Sequence, residues 1–271
     1  MQIRPRVCGT PSRILSRVSV HRADRLTVML EILAAKGTMD VAATARELGV
    51  STTTIRRDLR LLEEQRLLNR THGGAVAHGV LYELPLRYRS GRHQEVKRRI
   101  GAAAAKRVGD REVVGLTGGT TTTEVARALV DRRQLTVVTN ALNIGAELAV
   151  RPNLKLVMTG GVARSESYEL VGPLADTSLA RLHLDVAFVG VDGISPDGGL
   201  TTHHEIEAHT NRVLIDRASR VVVVADSSKL GRIAFAWICG LDQVDELITD
   251  DEADPDAAAT IERAGVEVTR V

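Results

Sequence analysis

The sequence predicts an α/β chain in two parts: a small three-helix head with a two-stranded wing, then a larger body built on a mostly parallel sheet. Three observations carry this. Apolar residues in the first 78 positions recur at helical spacing between clear turn signals. Beyond them, nearly continuous apolar runs alternate with helix-length segments, which marks strands buried on both faces. The length, 271 residues, suits two domains better than one. The expected division is a basic arm over 1–20, a head over 21–78, a linker over 79–91 and the body over 92–271.

Composition narrows the class. With 44% hydrophobic and 26% charged residues, this is an ordinary globular chain. No apolar run approaches the roughly 20 residues of a membrane span. Cys8 and Cys239 lie far apart and match no metal or disulfide spacing, so no metal and no cofactor is expected, and a reducing cytoplasm is the expected compartment. Up to Gly79 there are thirteen Lys and Arg against seven Asp and Glu, a net +6; the rest carries −4 of a total of +2. A basic head on an acidic body suits a head that meets a polyanion. The first twenty residues, with Arg4, Arg6, Arg13 and Arg17 and no acid, lack the apolar core of a signal peptide and read as a disordered arm.

In the head, Leu26, Met29, Leu30 and Leu33 form one stripe on a helix from about Arg22 to Lys36, which Gly37 ends. A second helix starts near Asp40, with Val41, Ala45 and Leu48 inward. After the turn at Gly49-Val50-Ser51, a third runs from Thr52 to about Gln65. Ile55, Leu59 and Leu62 share its inner face. Outward lie Ser51, Thr52, Thr53 and Thr54 in the first turn, then Arg56, Arg57 and Arg60. Small hydroxyls at the leading end and arginines behind suit a helix inserted into the major groove. Next, two short apolar stretches flank Gly73-Gly74 and predict a two-stranded wing, with Arg70 and His72 at the DNA backbone or minor groove.

Val50-Ser51-Thr52-Thr53-Thr54-Ile55-Arg56-Arg57-Asp58-Leu59, followed by Arg70-Thr71-His72-Gly73-Gly74-Ala75, resembles the DeoR family of bacterial repressors. The resemblance implies a winged helix-turn-helix that binds double-stranded operator DNA. It also implies that 79–91 joins head to body and keeps a Pro followed by an Arg, here Pro85 and Arg89.

In the body a helix spans about Arg92 to Val108. Six strands follow: Val113–Leu116, Leu135–Val138, Leu154–Met158, Asp185–Val191, Val221–Val224 and Glu246–Ile248. Ligands of such sheets bind beyond the C-terminal strand ends. The first strand leads into Thr117-Gly118-Gly119-Thr120-Thr121-Thr122. Two glycines let backbone amides approach an anion, a helix starts near Thr121, and Glu124 sits at capping-box spacing. Later strand ends carry Asn140, Gly160-Gly161, Asp192-Gly193 and Lys229. The expected phosphate contacts are Gly118, Gly119, Thr120, Thr121, Thr122, Gly160, Gly161 and Lys229, with Asn140, Asp192 and Glu207 toward the rest of the ligand. His203-His204-Glu205-Ile206-Glu207-Ala208-His209 looks like a zinc-protease motif, but His204 and His209 are five apart where a shared helix face needs four.

Nearly the whole body also resembles the DeoR sensor domain, through Gly118 to Thr121, Thr139-Asn140, Gly160-Gly161, Gly172, Asp192-Gly193 and Asp226 to Gly231. This implies a fold related to ribose-5-phosphate isomerase and a phosphorylated-sugar effector. Asn211 stands where the family often has a basic residue, and Leu230 where it has an aromatic. The expected function is a sugar-operon repressor with no catalytic residues, released by its effector. It is expected to act as a homo-oligomer, dimer or tetramer, because one head reads too few base pairs. The competing expectation is a phosphosugar isomerase with an added head, using Asp192 or Glu207 as base.

Overall fold

The computed structural model describes residues 22–77, 85–89 and 93–271. The expected basic arm and the outer parts of the expected linker lie outside these residues. The chain forms two compact units, 1–82 and 83–271.

In the first unit, α1 (Arg22–Lys36) buries Leu26, Met29, Leu30 and Leu33, the predicted stripe. Asp40 caps α2 (Val41–Glu47) by accepting from the Ala43 amide at 2.7 Å. Ser51 caps α3 (Thr52–Glu64), which buries Ile55, Leu59 and Leu62. The wing has three strands where two are expected. β1 (Thr38–Asp40) joins β2 (Leu68–Arg70) and β3 (Gly74–Ala77) in the antiparallel order β1-β3-β2. Three residues are too few for a strand period to show in sequence. Gly74 permits the pairing, since a Cβ there would sit 1.8 Å from the Met39 carbonyl oxygen.

Asp58 ties the helices together. Its carboxylate is buried on α3 and accepts from Arg25 at 2.6 Å and from Arg22 at 3.3 Å, both on α1. Removing one partner of a buried pair leaves the other charge uncompensated.

The second unit starts with α4 (Leu86–Arg89) and α5 (Gln94–Ala105), shorter than the predicted helix at both ends. Leu86 and Tyr88 are buried, and the Leu86 amide donates to the Glu166 carbonyl at 2.7 Å. The main sheet holds β4 (Val113–Leu116), β5 (Thr136–Thr139), β6 (Lys155–Met158), β9 (Val186–Val189), β12 (Val221–Val224), β14 (Glu246–Thr249) and β15 (Glu267–Arg270). All pairs are parallel, in the order β15-β14-β12-β9-β4-β5-β6. The last strand is unpredicted, because its Glu, Thr and Arg give no apolar run.

Alternate residues of one strand feed two cores. Val186 and Phe188 pack with α5, α6 (Thr120–Ala128) and α7 (Leu142–Leu148); Ala187 and Val189 pack with α8 (Pro173–Leu179), α9 (Glu205–Ile215) and α10 (Pro255–Arg263). This is the doubly covered sheet that continuous apolar runs require. Two small antiparallel sheets escape prediction: the pair β7 (Val162–Ala163) and β8 (Leu170–Val171), and β10 (Gly193–Ser195), β11 (Gly199–Thr202) and β13 (Ala236–Cys239), ordered β10-β11-β13. Cys239 is buried, which pushes its thiol up to about 11. No helix among the described residues is long and apolar enough to cross a membrane.

Asp58→Asn is expected to lower the stability of the first unit by about 3 kcal/mol. Thermal melts of the full chain check this; an unchanged first transition would show that the ion pair does not hold α3 to α1.

Candidate functional site

Chain order in the main sheet explains where a ligand fits. From β4 the chain winds outward through β5 and β6, then returns to β9 on the other side of β4 and winds away through β12, β14 and β15. Crossovers diverge between β4 and β9, leaving a crevice beyond their C-terminal ends. One pocket lies there, lined from the tips of β4, β9 and β12 and from α4, α5 and α9.

The tip of β4 supplies Gly118, Gly119, Thr120 and Thr121. Gly119, at φ 133°, turns the chain into α6, so the first-turn amides and the positive helix end point to one place. Gly118 is needed for close packing: a Cβ there would come within 2.6 Å of the Glu169 side chain. The predicted capping box does not form. Helix α6 starts one residue early, at Thr120, and Glu124 instead pairs with Arg127 at 2.6 Å. Thr122 and Thr123 turn back onto the Gly119 carbonyl at 3.0 and 2.6 Å.

Facing this loop is a half-buried charge cluster. Asp192, at the tip of β9, accepts from Arg89 at 3.1 Å, Lys229 at 3.3 Å and the Thr202 hydroxyl at 3.1 Å, with His203 at 3.8 Å. Burial pushes the Asp192 carboxyl up, but Arg89, Lys229 and His203 outweigh it and hold it down at about 2. Asp226 follows the same pattern. Burial raises its carboxyl, and the Ser228 hydrogen bonds with the charges of Lys97, Lys229 and His93 bring it below its usual range. Glu207 lies 2.5 Å from Arg164 and 3.5 Å from the Thr202 hydroxyl. Asn211 is 3% exposed and lines the pocket, and its side-chain oxygen has no hydrogen-bond partner among the described residues. A buried amide left so is a place for a ligand group to complete.

Of the expected ligand contacts, Gly118, Gly119, Thr120, Thr121, Asp192, Glu207 and Lys229 line this pocket. Four do not. Thr122 is spent on the Gly119 carbonyl. Asn140 donates to Glu169 at 3.0 Å, so it steadies a wall from behind. Gly160 and Gly161 follow β6, the sheet edge farthest from the crevice on that side, and lead into β7. Sequence reasoning missed Lys97, Glu169, His93, Ser167 and Thr202 as site residues, placed Arg89 only in the linker, and marked Ser228 and Asn211 only through the family resemblance, Asn211 as a departure that alters effector choice. Their only signal would be a titratable or polar residue on an otherwise buried position, as at Lys97, 5% exposed within α5. His204 caps α9, accepting from the Ile206 amide at 3.2 Å.

On the first unit, Ser51, Thr52, Thr53, Arg56, Arg57 and Arg60 are exposed along α3, and Thr54 is half-buried. The Ser51 hydroxyl accepts from the Thr54 amide at 3.1 Å and meets the Thr54 hydroxyl at 2.9 Å, so these two groups serve the helix start. Arg70 and His72 are exposed on the wing, Arg70 paired with Glu63 at 3.2 Å. An exposed pair of this kind contributes little and yields readily to a phosphate.

Folded Asp192 binds its proton more weakly than the unfolded chain does. Its stabilisation, about 2 kcal/mol, is complete above the ordinary aspartate range and is lost as pH falls from about 4 through about 2. In urea titrations the gap between wild type and Asp192→Asn is expected to close over that window. A gap independent of pH would show that Arg89 and Lys229 do not stabilise the carboxylate.

A model of the DeoR C-terminal sensor domain matches residues 92–251, and one of the DeoR-like helix-turn-helix domain matches residues 25–78. The transcriptional regulator GlpR of Haloferax volcanii is 37% identical over 247 residues, 91% of this chain and 96% of its own. The glycerol-3-phosphate regulon repressor of Escherichia coli is 32% identical over 231 residues, 85% of this chain and 92% of its own. Among solved structures, ribose 5-phosphate isomerase A of Methanocaldococcus jannaschii covers 50% of this chain and 54% of its own, at 21% identity and a TM-score of 0.37. The relatives named from sequence are regulators of transcription, and this chain belongs to their family, the DeoR-type transcriptional regulators.

Proposed function

We propose that this protein represses a carbohydrate operon and leaves its operator when a phosphorylated sugar fills the pocket at the β4–β9 crevice. One observation supports this above the rest: an amide-lined helix start, the cations Lys229, Arg89 and Lys97, and the polar groups of half-buried Asp192 and buried Glu207 and Asn211 converge on one cavity. The first set suits a phosphate and the second a run of hydroxyls. The Escherichia coli relative, a glycerol-3-phosphate regulon repressor, fits a ligand of this kind.

The chemistry follows from these residues. Phosphate oxygens accept from the Gly119 to Thr121 amides and from Lys229. A sugar hydroxyl donates to Asp192 and draws it from Arg89. Since Arg89 ends α4, which lies within the segment expected to join head to body, ligand contact reaches that segment. On DNA, Thr52, Thr53, Arg56, Arg57 and Arg60 read the major groove, while Arg70 and His72 contact the backbone. Two copies on paired half-sites supply the specificity that one head lacks. Such a protein works beside the genome, in the cytoplasm. Effector and operator weaken each other equally, as linkage requires.

Gel shifts with DNA from upstream of the protein's own gene test this, with a panel of phosphosugars and their unphosphorylated counterparts. One phosphorylated sugar is expected to release the DNA and its free sugar is not; release by neither overturns the pocket assignment. Lys229→Ala is expected to keep DNA affinity while weakening release at least tenfold. Arg57→Ala is expected to cut DNA affinity about 10- to 100-fold with unchanged melting temperature. Unaltered binding would exclude Arg57 from the interface.

A further inference from the structure

We propose that Asn211 decides which phosphorylated ligand the cavity takes: a phosphate monoester whose remaining groups are hydroxyls, in preference to a bisphosphate or a phosphorylated acid. The inference rests on the phosphosugar reading above and narrows it.

Asn211 is 3% exposed and lines the cavity, and its Oδ1 meets no hydrogen-bond donor among the described residues. Buried polar atoms are nearly always paired, because an unpaired one has given up its hydration for nothing. The fold makes no use of this amide. Its neighbour Thr210 ties α9 to α8 instead, donating to Asp176 at 2.7 Å and accepting from the Gly172 amide at 3.2 Å. The Asn211 oxygen is therefore left for a group that arrives through the cavity.

The surroundings define that group. Glu207 lies four residues before Asn211, so the two share one face of α9, and they are what α9 contributes to the cavity lining. Glu207 is an acceptor, with Arg164 at 2.5 Å. The Thr202 hydroxyl, 3.1 Å from Asp192 and 3.5 Å from Glu207, has one proton for two carboxylates. Asp192, Glu207 and Asn211 thus make a wall of acceptors, and among the described residues α9 adds no cation to it. A carboxylate or an ionised phosphate brings acceptors alone. Set against Asn211 it leaves Oδ1 unpaired and faces the Glu207 charge one helical turn away. A hydroxyl brings the missing proton.

Three pairs of probes test this: glycerol 3-phosphate with 3-phosphoglycerate, glucose 6-phosphate with 6-phosphogluconate, and fructose 6-phosphate with fructose 1,6-bisphosphate. Within each pair the second member carries one more anionic group. Calorimetric titration of the full chain is expected to show a hydroxyl member binding at least about thirtyfold tighter than its counterpart. Asn211→Leu keeps a branched side chain without the amide. It is expected to weaken that hydroxyl member about 10- to 30-fold, with unchanged circular dichroism and unchanged affinity for inorganic phosphate. A second-anion member that binds as well as its counterpart overturns the inference while the phosphosugar reading stands. So does an Asn211→Leu protein that keeps wild-type affinity for the hydroxyl member. Equal loss of inorganic phosphate overturns it too, since Asn211 then serves the phosphate cradle or the fold. Binding of none of the six removes the phosphosugar reading and this inference together. If Asn211→Leu fails to fold, the wild-type comparison decides alone.

Discussion

The molecule's chemistry depends on one constraint, the reversal of chain winding between β4 and β9. A parallel sheet needs a crossover after each strand, and crossovers that diverge cannot cover the strand tips between them. Both faces of the sheet are closed by helices, so the crevice is the opening through which polar groups at the strand ends can meet a ligand while the strands stay dry. Gly118 to Thr121, Asp192 and Asp226 to Lys229 converge because β4, β9 and β12 are neighbours, though they are far apart along the chain.

Buried charge is the second organising feature. The pocket sets Asp192, Asp226, Glu169 and Glu207 against Arg89, Lys97 and Lys229, so it is not a simple basic cup. Each acid has a partner, and ionised Asp192 holds two cations at once. Under the proposed function, a ligand anion entering here exchanges partners within an existing network, which favours discrimination over raw affinity. Asp58 in the first unit does related work without a ligand, fixing the angle of α3 against α1 so that the arginine face has a defined direction.

Much of this was legible in the residues themselves. Helix spacing in the head depends on neighbours three and four apart, and α1, α2 and α3 appear where the stripe and caps put them. Strands buried on both faces announce themselves by apolar runs, as at Val113–Leu116 and Val221–Val224. The short strands β1 and β7, of three and two residues, and the polar edge strand β15 carry no such run.

The sequence alone determined the two-part organisation, the three head helices, the exposed arginines of α3 and the polar strand tips, since each follows from local spacing or from burial imposed on a whole strand. Only tertiary structure decided which tips share a pocket, excluding Asn140 and Gly160-Gly161 and admitting Lys97, Arg89, Glu169 and Asn211. It alone decided that Asp58 faces inward. Those outcomes turn on strand order and on pairs tens of residues apart, and no local periodicity encodes which of two distant charges will meet.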